Sequence, residues 1–211
     1  MNTIAIADSR ARARFPKRFR SARMHFEFES GPEKMTPDEF WDFCTENDLR
    51  AELTKGGEVI IVPPTGFESG DINSELNFQL RGWAKQDKTG NVADSNAGFL
   101  LPNGAVYSPD ASWTLSTRVN EFSEEKRRKF LPLCPDFVLE LRSPSDTLSE
   151  LTDKMTEYLE NGARLGWLID PQTKQFHVYR PNREPEILQN PVRVSGEDVL
   201  VGFELDLNEI W

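Results

Sequence analysis

Three carboxylates stand where their neighbours are apolar. Glu140 lies inside the run FVLEL, Asp110 follows Pro109 at the head of an apolar segment, and Glu75 falls among Ile72, Leu76, Leu80 and Trp83. A buried carboxylate is costly unless a donor, an arginine or a metal ion meets it. Three converging carboxylates would supply the hard oxygen ligands that Mg²⁺ or Mn²⁺ prefers. Lys154 adds a cation: it stands three residues after Leu151 and four before Tyr158, bordering the buried face of its helix, from which it can reach back toward the strand of Glu140. The ordinary account of any one of these acids alone is a turn cap or an arginine partner.

Other chemistries find little support. The chain holds two histidines, His25 and His177, so a zinc site built on histidine pairs has no ligands and a nucleophile–histidine arrangement would rest on His177. That residue alternates with Phe176 and Val178, the pattern of a plain strand position. No GxxxxGK[ST] or GxGxxG follows an expected strand, which argues against a nucleotide cofactor. Two cysteines, Cys44 and Cys134, are too few for a disulfide framework, and a cytoplasmic location is expected.

The elements that must position these groups can be read from caps, turns and periodicity. Thr36 and Pro37 open a short helix through Phe40, Phe43 and Cys44. RAEL and EVIIV flank TKGG as a hairpin that Pro63 and Pro64 stop. A long helix is expected from Ser69 to Lys88, then two strands around Asn103-Gly104, the pair that a type I′ turn favours. Short helical turns are expected between Ser116 and Lys129. DFVLELR reads as an interior strand, followed by a helix capped by Asp146 or Thr147 and stopped at Gly162, then by the strands RLGWLID and QFHVY. Strand, helix, strand from 136 to 169 is long enough for a parallel crossover. An α/β mixed sheet flanked by helices follows, in one domain over residues 35–211 behind a basic, flexible arm over 1–34.

The net charge of −10 divides unevenly: residues 1–23 hold seven Arg and Lys against Asp8 alone, so the remainder carries about −16. Such a body argues at first against nucleic acid. Within it, Lys126, Arg127, Arg128 and Lys129 form the one dense basic cluster, with a thinner scatter at Arg81, Lys85 and Lys88; the plain account of each is a solvated face. Apolar runs such as VIIVPP are too short to cross a bilayer, so no membrane partner is expected.

SPDA, then PDFVLELRSPSD, then DKMTEYLENGARLGWLIDP, with PPTGFESGDINSEL upstream, resemble the Uma-two family of bacterial restriction endonucleases, a branch of the PD-(D/E)XK nuclease superfamily. The resemblance covers about residues 35–211. It implies a restriction-endonuclease-like PD-(D/E)XK core, with Asp110 and Glu140 as catalytic metal ligands on adjacent strands, Glu75 as the upstream helix carboxylate and Lys154 as a migrated catalytic lysine. The implied reaction is Mg²⁺- or Mn²⁺-dependent hydrolysis of DNA, with the Leu141 carbonyl completing the metal ligands and a homodimer acting on two strands. Lys126, Arg127 and Arg128 are then candidates for the DNA backbone. One departure is plain: the superfamily lysine usually stands two residues after the glutamate, where this chain has Arg142. Arginine cannot serve as a base, so Arg142 either binds phosphate or pairs with an acid on the sheet. Asp136, four residues before Glu140, is expected to cap or turn the strand. A catalytically inactive binding module and a nuclease acting on RNA remain the alternatives.

Overall fold

The computed structural model describes residues 35–211 throughout and, upstream, only the backbone of four short strands, β1 (Thr3–Ala5), β2 (Ala11–Arg14), β3 (Arg23–Met24) and β4 (Phe26–Phe28). The basic arm expected over residues 1–34, with His25, therefore falls largely outside the described residues. Helix α1 (Pro37–Glu46) begins as its caps dictate, because Thr36 Oγ1 accepts from the Glu39 N–H while the Glu39 carboxylate accepts from the Thr36 N–H. Strands β5 (Ala51–Leu53) and β6 (Val59–Ile61) pair antiparallel as the expected hairpin.

Helix α2 (Phe67–Asp87) starts two residues before the expected Ser69 and ends at Lys88, whose φ of 61° breaks the helical path. Strand β7 (Gly90–Asp94) comes next, and its mix of Gly, Asn and Asp gave no strand pattern to read. Strands β8 (Phe99–Leu100) and β9 (Val106–Tyr107) form the hairpin around Asn103-Gly104, but not with a type I′ turn. Only Gly104 has positive φ, at 90°, and its N–H donates to the Leu101 carbonyl. The loop is thus a turn through Pro102 and Asn103 closed by a left-handed glycine, which Pro102 favours by fixing its own φ negative.

Strand β10 (Ala111–Leu115) leads into the helical turns α3 (Ser116–Val119) and α4 (Glu124–Arg127). Strand β11 (Phe137–Leu141), helix α5 (Leu148–Glu160) and strand β12 (Leu165–Asp170) form the expected crossover, with β11 and β12 parallel. Thr147 is the cap of α5, its Oγ1 accepting from the Glu150 N–H. Strand β13 (Gln175–Tyr179) returns antiparallel to β12, and β14 (Glu186–Gln189) lies at the sheet edge. Strands β15 (Arg193–Ser195) and β16 (Glu204–Asp206) pair near the C-terminus.

The central sheet runs β14-β13-β12-β11-β10-β7, and all its pairings except β11 with β12 are antiparallel. A second sheet runs β3-β6-β5-β9-β8. Side-chain alternation along β11 divides the interior. Phe137, Leu139 and Leu141 pack with Leu76 and Leu80 of α2, whereas Val138 packs with Met155 and Tyr158 of α5. Trp167 lies fully buried in the first of these cores, edge-on to Phe137 at 4.9 Å and to Phe176 at 5.2 Å between ring centres. Each such buried aromatic contributes roughly 1.5–3 kcal/mol. Gly166 of β12 faces Met155, and a Cβ there would collide with the Met155 methyl, so its bare backbone lets α5 lie close over the sheet. Glu140 shares the α5 side of β11 with Val138, which places a carboxylate between strand and helix.

Candidate active site

Glu140 is 4% exposed, and its neighbours account for how it is tolerated there. Lys154 Nζ lies 2.8 Å from Glu140 Oε1, and the Tyr158 hydroxyl donates to the same oxygen at 3.1 Å. One helical turn separates Lys154 from Tyr158, so α5 delivers both donors to one point. The ammonium also lies 2.8 Å from Glu52 Oε1, and that oxygen accepts from the Ser108 N–H at 2.9 Å. Lys154 therefore joins the two sheets through α5: Glu52 stands on β5 and Glu140 on β11.

Asp110 completes the cluster from the residue before β10. Its Oδ2 accepts from the Leu141 N–H at 2.8 Å, and its carbonyl accepts from the Asn77 amide of α2 at 3.0 Å. The antiparallel register of Ala111 with Leu139 brings Asp110 level with the end of β11.

The charges do not balance. Burial, and behind it the negative charges of Asp110 and Glu52, push the Glu140 carboxyl up to about 8 against the opposing pull of Lys154. Burial also raises Asp110 above the usual carboxylate range despite the Leu141 N–H. Burial works against the Lys154 ammonium too, but Glu140 and Glu52 outweigh it and keep the amine protonated well above the ordinary range. Tyr158 is likewise raised, by burial and then by Glu140 and Glu52. Lys154 is thus a fixed positive charge and not a proton acceptor.

A raised carboxyl pKa stabilises the fold below the group's unfolded value and loses that stabilisation as pH rises through the folded value. In metal-free buffer, the unfolding free energy of the unaltered protein relative to Glu140→Gln is expected to decline as pH rises from the ordinary glutamate range toward about 8. Urea unfolding across that pH range measures it, and a flat difference would show that Glu140 titrates normally.

Of the residues singled out by sequence, the structure brings Asp110, Glu140, Leu141 and Lys154 together and leaves the others elsewhere. Glu75 accepts from Gln79 Nε2 at 2.9 Å, and Gln79 in turn holds the backbone of Asp206, so Glu75 belongs to the contact of α2 with the C-terminal segment. Among the described residues no hydrogen bond or ion pair ties Glu75 to Lys154 or Asp110. Arg142 pairs with the fully buried Asp170 at 2.6 Å, the structural alternative of the two expected for it. Lys126, Arg127 and Arg128 are exposed on and after α4, with Arg128 paired to Glu124 at 2.7 Å. Asp136 anchors the entry of β11, accepting from the Leu115 N–H and pairing with Arg118 at 2.8 Å. His177 is a buried strand residue.

Glu52 is the residue that sequence reasoning passed over. It shows the same signal as Glu140, an acid between apolar residues of a strand, but in a strand of only three residues.

Hard-cation chemistry suits what remains free in this cluster. The donors to Glu140 both go to Oε1 and the backbone donor to Asp110 goes to Oδ2, which leaves Glu140 Oε2 and Asp110 Oδ1 outside these contacts. Among the described residues no three His, Cys, Asp or Glu side chains converge as a ready ligand set. Two carboxylates with water and substrate oxygens are nevertheless the usual complement for Mg²⁺. Among the described residues no helix is long and apolar enough to cross a membrane.

The Uma2 family model, described as "Putative restriction endonuclease", matches residues 37–208. A solved structure described as a "putative nuclease belonging to DUF820", from Anabaena variabilis, superimposes with a TM-score of 0.69 over 83% of this chain and 96% of that one, at 22% identity. No curated protein matches. The fold of that structure is the fold found here, a mixed sheet flanked by helices. The chain belongs to the Uma2 family of restriction-endonuclease-like nucleases.

Proposed function

We propose that the protein hydrolyses DNA phosphodiester bonds with a divalent cation, Mg²⁺ or Mn²⁺, held by Asp110 and Glu140. The observation that carries this reading is the meeting of a buried carboxylate of β11 and a half-buried one at the head of β10 with a lysine from α5, each acid keeping one oxygen outside its recorded contacts. The cation supplies water activation and neutralisation of the phosphoryl oxygens. The chain's own part is positional. The Leu141 N–H fixes the Asp110 carboxylate, while the Leu141 carbonyl lies at the same strand end as a further ligand. Lys154 and Tyr158 fix Glu140 through Oε1, so that Oε2 is the oxygen left for the cation. The Lys154 ammonium also adds a fixed positive charge where negative charge develops on the phosphoryl group. Glu52 holds Lys154 from the opposite side and is a positioning residue.

Lys126, Arg127 and Arg128 offer exposed cations to the DNA backbone, which suits an acidic chain whose site charge is neutralised by metal. Nicking of supercoiled plasmid in Mg²⁺ or Mn²⁺ is expected, and Asp110→Asn is expected to remove it. Cleavage unchanged in that variant would place the activity elsewhere. The same assay on RNA compares the two nucleic acids.

A second reading, a non-catalytic module of the same fold, draws on Arg142. It occupies the usual lysine position yet is held by Asp170. Calorimetry separates the two, because absence of Mn²⁺ binding at millimolar metal favours the module.

A further inference from the structure

The outer face of α2 shows a pattern that the fold does not require. Phe67, Asp71, Ser74, Phe78, Arg81 and Lys85 recur on one side of the helix, opposite the buried Leu76 and Leu80. Phe78 is 71% exposed there. With the edge strand β7 this face encloses a groove of about 530 Å³, lined by Asn77, Phe78, Arg81, Gly82, Lys85 and Val92 among others. That volume falls within the range of ligand clefts.

Three observations point to the occupant. The first is position: Asn77 lines the groove and also holds the Asp110 carbonyl at 3.0 Å, while Asp94 of β7 lies opposite Ala111, the residue after Asp110. One end of the groove therefore lies one hydrogen bond from the backbone of Asp110. The second is charge. Arg81 and Lys85 flank the exposed aromatic ring in a chain whose net charge is −10. The acid on the lining, Asp94, is turned to local use, accepting from the Asn96 N–H at 3.0 Å and from its amide at 3.4 Å. The third is Gly82. A side chain there would meet nothing within 4 Å, so packing does not demand glycine in the middle of this helix, where it costs stability. Its bare surface leaves the groove open between Phe78 and Lys85.

We infer that this groove binds an unpaired stretch of the nucleic-acid strand leading to the scissile phosphate, with a base stacked on Phe78 and backbone phosphates on Arg81 and Lys85. The inference rests on the nuclease reading for the identity of the strand. A stacking ring beside a basic track is the ordinary means of holding single strands without reading their sequence. The lining around this ring is mixed, with Ser74, Asn77, Arg81 and Lys85 beside Val92 and Ala93, which suits a nucleotide's base and charged backbone better than the apolar centre of an interface between copies.

The test is fluorescence anisotropy of a labelled oligothymidylate with the full chain in Ca²⁺ buffer. Phe78→Ala is expected to weaken binding roughly 5- to 150-fold, the effect of losing one stacked base. Arg81→Ala with Lys85→Ala is expected to lower the slope of log affinity against log salt by about 1.4. Gly82→Gln should weaken binding by obstructing the groove, and Phe67→Ala, on the same face but outside it, should not. Wild-type affinity in all three groove variants overturns the proposal, as does an unaltered protein that binds no oligonucleotide. It also fails if Phe78→Ala changes only sedimentation, because the face is then a contact between copies. Plasmid cleavage by Asp110→Asn is scored separately: its loss alongside unaffected groove variants removes the groove and keeps the active site, while its persistence alongside weakened oligonucleotide binding does the reverse.

Discussion

Glu140→Gln is expected to reduce phosphodiester cleavage by about 10³-fold or more while leaving the protein folded. The amide keeps nearly the shape of the carboxylate, and its oxygen can still accept from Lys154 and from the Tyr158 hydroxyl. What it lacks is the negative charge that would hold a divalent cation together with Asp110. Because ionising Glu140 in its buried position is costly, the metal-free thermal midpoint should stay level at neutral pH and rise relative to the unaltered protein above about pH 8. Cleavage rate, Mn²⁺ calorimetry and thermal unfolding on the same preparation make the comparison. A variant that cuts at the wild-type rate would remove this cluster from the mechanism.

Lys154→Met is expected to have the largest effect on stability, a loss of roughly 3–5 kcal/mol against the ~5–15 kcal/mol typical of a folded domain. Methionine preserves most of the stem's packing but leaves Glu52 and Glu140 facing each other without their shared cation. Two features of the loss identify its cause. Glu52→Gln in the Lys154→Met background should recover part of it, as a double-mutant cycle would measure in urea. The loss should be greatest above about pH 8 and shrink as pH falls through that value, where Glu140, raised by burial, takes up a proton and no longer needs a partner. A deficit indifferent to pH and to Glu52 would assign Lys154 a packing role.

The sequence reading went furthest where a local signal and its tertiary use coincide. Thr36 and Pro37 open a helix by backbone chemistry alone, and they do so here. Glu140 declared itself through its setting, because a carboxylate inside FVLEL has few tolerable explanations. Lys154 could be placed on the border of a buried helical face by periodicity, and it reaches the strand as that position implies. Glu75 met the same test of apolar neighbours, but position 75 lies beside the buried stripe of α2 rather than beneath the site. Which way a border residue turns depends on what packs there, and Gln79 with Asp206 decides it. Glu52 was hidden for the converse reason. A strand of three residues has no measurable period, and its importance comes from a partner far along the chain. Strand β7 was invisible because an edge strand has little apolar surface to bury, and in the Asn103-Gly104 loop the preceding Pro102 overrode the preference of the pair.

The bridge from Glu52 to Lys154 joins residues 102 positions apart, and it has a consequence for the order in which a newborn chain acquires its chemistry. A ribosome releases Glu52 and Asp110 early, yet the helix that balances their charge is among the later segments to emerge. Until then the two acids have only water and backbone donors around them, and contacts of such long sequence separation form late in folding. The candidate site is therefore not assembled in any fragment that lacks α5. It comes into being only when α5 settles against β5 and β11 and sets one ammonium between their acids.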